Sequence, residues 1–137
     1  MKYLVDANVL SEPTKPAPAP HVIEWLRLNE REIAVDPIVL GEVRFGILIM
    51  PKGKQRTRLE RWFDAGVQQI DCLPWEAETG LRWAALLANL RASGKSMPIK
   101  DSMVAATALV HELVVATRNS IDFKNAGVKV VNPFSAE

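Results

Sequence analysis

The sequence of 137 residues holds one cysteine, Cys72, and one tyrosine, Tyr3. A single thiol cannot close an internal disulfide, so the cross-linked scaffolds of small secreted proteins are excluded and the reducing cytoplasm is the expected compartment. No apolar run approaches the roughly 18–20 residues that a membrane-spanning helix needs. The opening segment reaches an acid at Asp6 without the pattern of a secretion signal, so neither membrane insertion nor export is expected. Three signatures of phosphate and acyl chemistry are missing as well. There is no Gly-x-x-x-x-Gly-Lys loop, no Gly-x-Gly-x-x-Gly after a strand and no Gly-x-Ser-x-Gly elbow, which argues against the common nucleotide-binding and acyl-transfer enzymes. His21 and His111 are isolated, and with so little cysteine the usual ligands of zinc are lacking.

What is present suits one globular domain over residues 1–137, since 48% of the chain is hydrophobic and 24% charged. A chain of this size buries about two-thirds of its unfolded surface and can hold a core without staples. The formal net charge of +1 conceals a local excess. Between Lys52 and Arg61 five basic residues face one acid, Glu60, leaving 12 basic and 15 acidic residues elsewhere. Such a strip is either a solvated helix face or a grip on a phosphate backbone.

Short apolar runs alternate with longer helical patterns, the signature of an α/β domain with a parallel sheet. Tyr3-Leu4-Val5 reads as a buried strand ending at Asp6, and Asn8 to Glu12 as a short turn or helix. Three prolines within Lys15 to Pro20 make an exposed connector. Helices are expected over His21 to Asn29, from Pro37 to Met50, over Lys54 to Ala65, over Trp75 to Ser93 and over Ile99 to Leu113. Asp36-Pro37 is a strong helix start, an N-cap acid before a proline whose missing N–H costs nothing. Further strands are expected at Ile33 to Val35, Gln69 to Leu73, Leu113 to Thr117 and Val128 to Val131. The result is a small, mostly parallel sheet of four or five strands with helices on both faces, a three-layer α/β/α arrangement.

In such a sheet the carboxyl ends of the strands share one edge, where ligands bind. Asp6, Asp101 and Asp122 fall near that edge, and Glu42 joins them if its helix passes beneath. Each acid alone has an ordinary explanation as a turn or first-turn residue. Together they repel, and buried ionised acids are costly unless paired or bound to a cation. Mg²⁺ or Mn²⁺ suits an all-oxygen site, and phosphodiester hydrolysis by a water that the cation activates is the chemistry such a site favours.

These residues resemble the PIN-domain ribonuclease toxins of the VapC and FitB type, from prokaryotic toxin–antitoxin pairs. The resemblance is carried by Leu4-Val5-Asp6-Ala7-Asn8-Val9-Leu10-Ser11-Glu12, by Gly41-Glu42-Val43-Arg44-Phe45-Gly46-Ile47, by Pro51-Lys52-Gly53 through Leu59-Glu60-Arg61-Trp62, and by Ile99-Lys100-Asp101 with Val104-Ala105-Ala106-Thr107-Ala108. Val115-Ala116-Thr117-Arg118-Asn119 to Asp122-Phe123 and the ending Val130-Val131-Asn132-Pro133-Phe134 complete it. It implies a PIN-like domain and an endoribonuclease dependent on Mg²⁺ or Mn²⁺, with Asp6, Glu42 and Asp101 as the acidic centre and Asp6 and Asp101 as the direct ligands. The fourth acid of many relatives directly follows Thr-Arg, where this chain has Asn119. Either Asn119 serves there or Asp122 takes the acidic role. Asp36 stands where relatives often carry a small hydroxyl residue, and it reads as a structural cap.

Asn8 and Thr117 are candidates to orient carboxylates, and Arg118 to contact phosphate, with Arg56 and Arg58 more distant along a backbone. Trp25, Trp62, Trp75 and Trp83 read as core or subunit contacts. The family resemblance implies an RNA substrate, a cognate antitoxin and a homodimer that pairs again with antitoxin. Apolar positions around Ile47 to Met50 and Trp62 are candidates for a partner groove. Two other classes compete: a non-catalytic module that only binds RNA or protein, and a receiver-like phosphoacceptor. The latter expects a lysine after a late strand, where Thr117-Arg118 stands.

Overall fold

The computed structural model describes residues 1–135. Five short strands form one entirely parallel sheet in the order β3-β2-β1-β4-β5. They are β1 (Tyr3–Val5), β2 (Ile33–Val35), β3 (Asp71–Cys72), β4 (Val114–Ala116) and β5 (Val130–Val131). Six helices flank the sheet: α1 (Ala7–Leu10), α2 (Pro20–Leu28), α3 (Pro37–Leu48), α4 (Lys54–Ala65), α5 (Ala77–Ala92) and α6 (Ile99–His111). The α/β/α class expected from the alternation is therefore present, with no antiparallel strand in the sheet.

The central strands are apolar because both their faces are covered. Leu4, Val5, Ala34, Val35, Val115 and Ala116 are fully buried, and Val9, Val22, Val39, Val43, Val104 and Phe123 pack into the same core. The chain builds outward from β1 to β2 and β3, then crosses back to place β4 and β5 on the other side. Strand order thus reverses between β1 and β4, and the place beyond their carboxyl ends is where sheets of this kind bind ligands. Register pairs Val5 with Ala116, so Asp6 and Thr117 are the next residues of the two neighbouring strands.

Local chemistry sets the element boundaries. Asp36 caps α3 with Pro37 at its first position, and α5 starts on a reciprocal capping box between Glu76 and Thr79. Proline also opens α2, so that helix begins at Pro20 rather than His21. Gly94, at φ +66°, supplies the left-handed turn after α5. The strand expected over Gln69 to Leu73 shrinks to Asp71–Cys72. Val67–Gln69 close a 3₁₀ turn before it, and Pro74, which has no N–H to pair, follows it.

Of the apolar surface expected around Ile47 to Met50, Leu48 and Ile49 are exposed, whereas Ile47 is buried in the core and Phe45, earlier on α3, is exposed as well. Trp62 is half-buried and lines a cavity of about 600 Å³ with Leu10, Leu26, Ile33 and Val67, a space bordered by none of the candidate acids. Trp25 packs edge-on against Tyr3. No helix among the described residues is long and apolar enough to cross a membrane.

Candidate acidic active site

Asp6 leaves β1 as the N-cap of α1, and its carboxylate is 3% exposed. Oδ1 accepts the Ala7 N–H at 2.9 Å, and Oδ2 accepts the Thr117 hydroxyl at 2.7 Å. Asn8 Nδ2 lies at the outer limit of a hydrogen bond, 3.5 Å from the same Oδ2 and 3.4 Å from Thr117 Oγ1. Asn8 Oδ1 accepts the Arg118 N–H at 3.0 Å, and Thr117 Oγ1 accepts the Asn119 N–H at 3.0 Å. The loop after β4 is thereby tied to the turn after β1 by bonds that each use the side chain of Asp6 or Asn8. Burial pushes the Asp6 carboxyl above its ordinary range, against the lowering by Thr117 and Ala7, and the charges of Glu42 and Asp36 add to the rise.

Asp101 sits in the first turn of α6 and is partly exposed. Its carboxyl is raised to about 6, first by burial and then by the negative charges of Asp6, Asp122 and Glu42, with Lys100 offsetting part of the effect. Three carboxylates from three other segments thus act on this one group. Next to it Ser102 is buried, donates to the Ile99 carbonyl at 2.5 Å and accepts the Trp83 indole N–H at 2.9 Å, which ties the start of α6 to α5.

Glu42 projects from α3, half-buried, and pairs with Lys100 Nζ at 3.2 Å. Asp122 is exposed within the 3₁₀ turn Ser120–Phe123. Asn119 caps that turn without a side-chain bond, and its side chain is exposed. Arg118 is exposed, with its guanidinium 4.6 Å from the centre of the Phe134 ring. His21 and His111 are exposed on α2 and at the end of α6.

Two features escaped the sequence reading. Asp36 does more than cap α3: while Oδ1 accepts the Val39 N–H at 2.9 Å, Oδ2 accepts the Thr107 hydroxyl at 2.7 Å, so the residue after β2 is locked to α6. Lys100 is the other. A basic residue directly before an acid in a helix carries no local signal of reaching a glutamate on α3.

The donors are all carboxylate oxygens, a set that suits a hard divalent cation and not zinc. Among the described residues no three such side chains, as oriented, stand close enough to hold one ion. Glu42 is paired with a competing cation, the Lys100 ammonium.

A model of the PIN domain matches residues 3–129, nearly the whole chain. The chain belongs to the PIN domain family. Within it, the chain is 33% identical over 135 residues to the VapC ribonuclease Y4jK of Sinorhizobium fredii, covering 96% of both chains. It is 31% identical to the toxin FitB of Neisseria gonorrhoeae, covering 96% of this chain and 97% of that one. The crystal structure of FitAcB from Neisseria gonorrhoeae superposes with a TM-score of 0.90 at 30% identity, over 96% of this chain and 98% of the other. The parallel sheet and its flanking helices are thus those of a PIN fold, as the motifs led one to expect.

Proposed function

We propose that this PIN domain protein is an endoribonuclease that hydrolyses RNA phosphodiester bonds with Mg²⁺ or Mn²⁺ and acts as the toxin of a toxin–antitoxin pair. The observation that carries the reading is the placing of the buried Asp6 at the end of β1, where strand order reverses, with the charges of Asp6, Glu42 and Asp122 all raising the Asp101 carboxyl. The relatives named as a ribonuclease and a toxin support the substrate class and the cellular role.

Asp6 and Asp101 would hold the cation, and Glu42 would join them if its pair with Lys100 opened. When bound, the cation neutralises a phosphate oxygen and lowers the pKa of an attacking water. The remaining work belongs to the chain. Thr117, the Ala7 N–H and Asn8 fix the orientation of Asp6, which keeps a buried carboxylate ready without rearrangement. Asp122 supplies the fourth acidic position, because its charge reaches Asp101 while Asn119 makes only a backbone contact to Thr117. Arg118, beside Thr117 and exposed, meets a phosphate of the substrate. The partners are RNA, a cognate antitoxin and a second copy of the chain.

Purified protein supplied with Mn²⁺ should cut single-stranded RNA, and chelator or Asp6→Asn should reduce cutting to background. Cutting that survives both, in protein freed of contaminating ribonuclease, rejects the reading. The Lys100–Glu42 pair favours one other possibility, a module that binds RNA or protein without cleaving it. Calorimetry separates the two, since only the enzyme should bind Mn²⁺ in a manner abolished by Asp101→Asn.

A further inference from the structure

The basic strip noted in the sequence is a feature that the acidic centre does not use. On α4, Lys54, Arg58 and Arg61 recur at spacings of four and three residues and so share one face. All three are exposed, and with Gly53 and Thr57 they line a shallow depression of about 530 Å³. The acids of this helix point elsewhere. Glu60 pairs with Arg56 at 3.4 Å, and Asp64 lies near Arg44 at 3.8 Å and accepts from Gln68. Among the described residues no carboxylate pairs with Lys54, Arg58 or Arg61, so their charge is available to a ligand.

The face is linked to the acidic centre by a series of contacts and charge interactions. Arg58 Nη2 reaches the Thr14 carbonyl at 3.4 Å, on the turn that follows α1. Next to Thr14, Lys15 bonds Glu12 at 3.1 Å, and the charge of Arg118 also acts on Glu12. Arg118 in turn donates its N–H to Asn8, which neighbours the Asp6 carboxylate. Cations therefore run in sequence from the acidic centre across the Glu12–Thr14 turn to α4. At 1.5 Å rise per residue, the stretch from Lys54 to Arg61 spans about 10 Å, long enough for more than one phosphate.

We propose that Lys54, Arg58 and Arg61 form a track for the sugar–phosphate backbone of single-stranded RNA, holding the strand beyond the nucleotides at the acidic centre. The proposal rests on the ribonuclease reading and deepens it. Charge without aromatic side chains on this face predicts binding that ignores base identity and weakens steeply with salt.

The test uses a labelled 20-nucleotide single-stranded RNA of mixed sequence, bound to full-length Asp6→Asn protein in chelator at several salt concentrations. Replacing Lys54, Arg58 and Arg61 together by Gln should weaken binding at least about tenfold at low salt. It should also flatten the plot of log affinity against log salt by about 2, since each phosphate contact on a single strand contributes about 0.7. The double change K54Q and R61Q keeps the Arg58 contact to Thr14, guards against a folding artefact, and should flatten the slope by about 1.4. With Asp6 intact and Mn²⁺ present, cleavage of a trinucleotide too short to reach α4 should be unaltered by the triple change. Unchanged affinity and slope, or no RNA binding at all, overturns the track. So does a triple variant that releases a polyglutamate peptide yet still holds RNA, which would assign the face to an acidic protein. If the slope flattens as expected but no RNA is ever cut, the track stands and the ribonuclease reading falls.

Discussion

Thr107 donates its hydroxyl to the buried Asp36 at 2.7 Å, and Thr117 donates to the buried Asp6 at the same distance. Two neighbouring strands therefore end in the same arrangement, an aspartate that caps a helix and takes a threonine hydroxyl from a distant segment. The first such pair fastens α6 to the end of β2, and the second fastens the loop after β4 to the end of β1. Both pairs keep an acid in place that burial otherwise penalises.

Thr107→Val keeps the shape of the side chain and removes the donor, leaving Asp36 Oδ2 buried without its partner. Stability should fall by about 1–3 kcal/mol, read from urea denaturation at neutral pH. A loss within error would mean that Asp36 is served by its backbone bonds alone.

Thr117→Val and Asn8→Ala remove groups that hold Asp6, without touching the acids. Each should weaken Mn²⁺ binding or RNA cleavage about 10–100-fold while the far-ultraviolet dichroism spectrum is retained. Equal activity in both variants would show that Asp6 is oriented by the Ala7 N–H alone.

The fourth position separates Asp122 from Asn119. Asp122→Asn should depress cleavage strongly and bring the Asp101 pKa down, because it deletes one of the charges that raise it. Asn119→Ala should leave both nearly unchanged, its one contact to Thr117 being through the backbone N–H. The reverse pattern would move the role to Asn119.

Asp101 binds its proton more tightly in the folded chain, with a carboxyl at about 6 against an ordinary 3.8. Over that interval the folded state carries more proton than the unfolded state, so its contribution to stability is present below pH 4 and is lost as pH rises to about 6. In chelator, the melting temperature of wild type minus that of Asp101→Asn should fall between pH 4 and pH 7. Mn²⁺ favours the deprotonated acids and should raise the wild-type melting temperature more at pH 7.5 than at pH 5. A difference that grows with pH in chelator contradicts the clustering of charge.

Lys100 opposes the cation for Glu42 and also lowers the Asp101 carboxyl. Lys100→Gln should therefore push the Asp101 pKa further up in the metal-free protein and tighten Mn²⁺ binding at pH 8, where the acids are ionised. Nuclear magnetic resonance titration and calorimetry measure the two effects. Weaker Mn²⁺ binding at that pH would give Lys100 a supporting place in the site instead.

Much of this protein follows from local chemistry. Leu4-Val5 and Val115-Ala116 are strands because their apolar faces need cover on both sides, and Asp36-Pro37 starts a helix through one side-chain oxygen and one missing N–H. Those effects act over a few residues, so pattern and spacing suffice to read them. What the chain order alone left open was decided by packing. Whether Glu42 faces Asp101 or Lys100, whether Asp122 lies within reach of Asp101, and whether Ile47 or Phe45 meets solvent depend on how α3, α6 and the loop after β4 settle against one sheet edge. The bonds that fix that edge join residues 71 and 111 positions apart. Contacts at such separations are selected by the closing of the core, which no short run of sequence encodes.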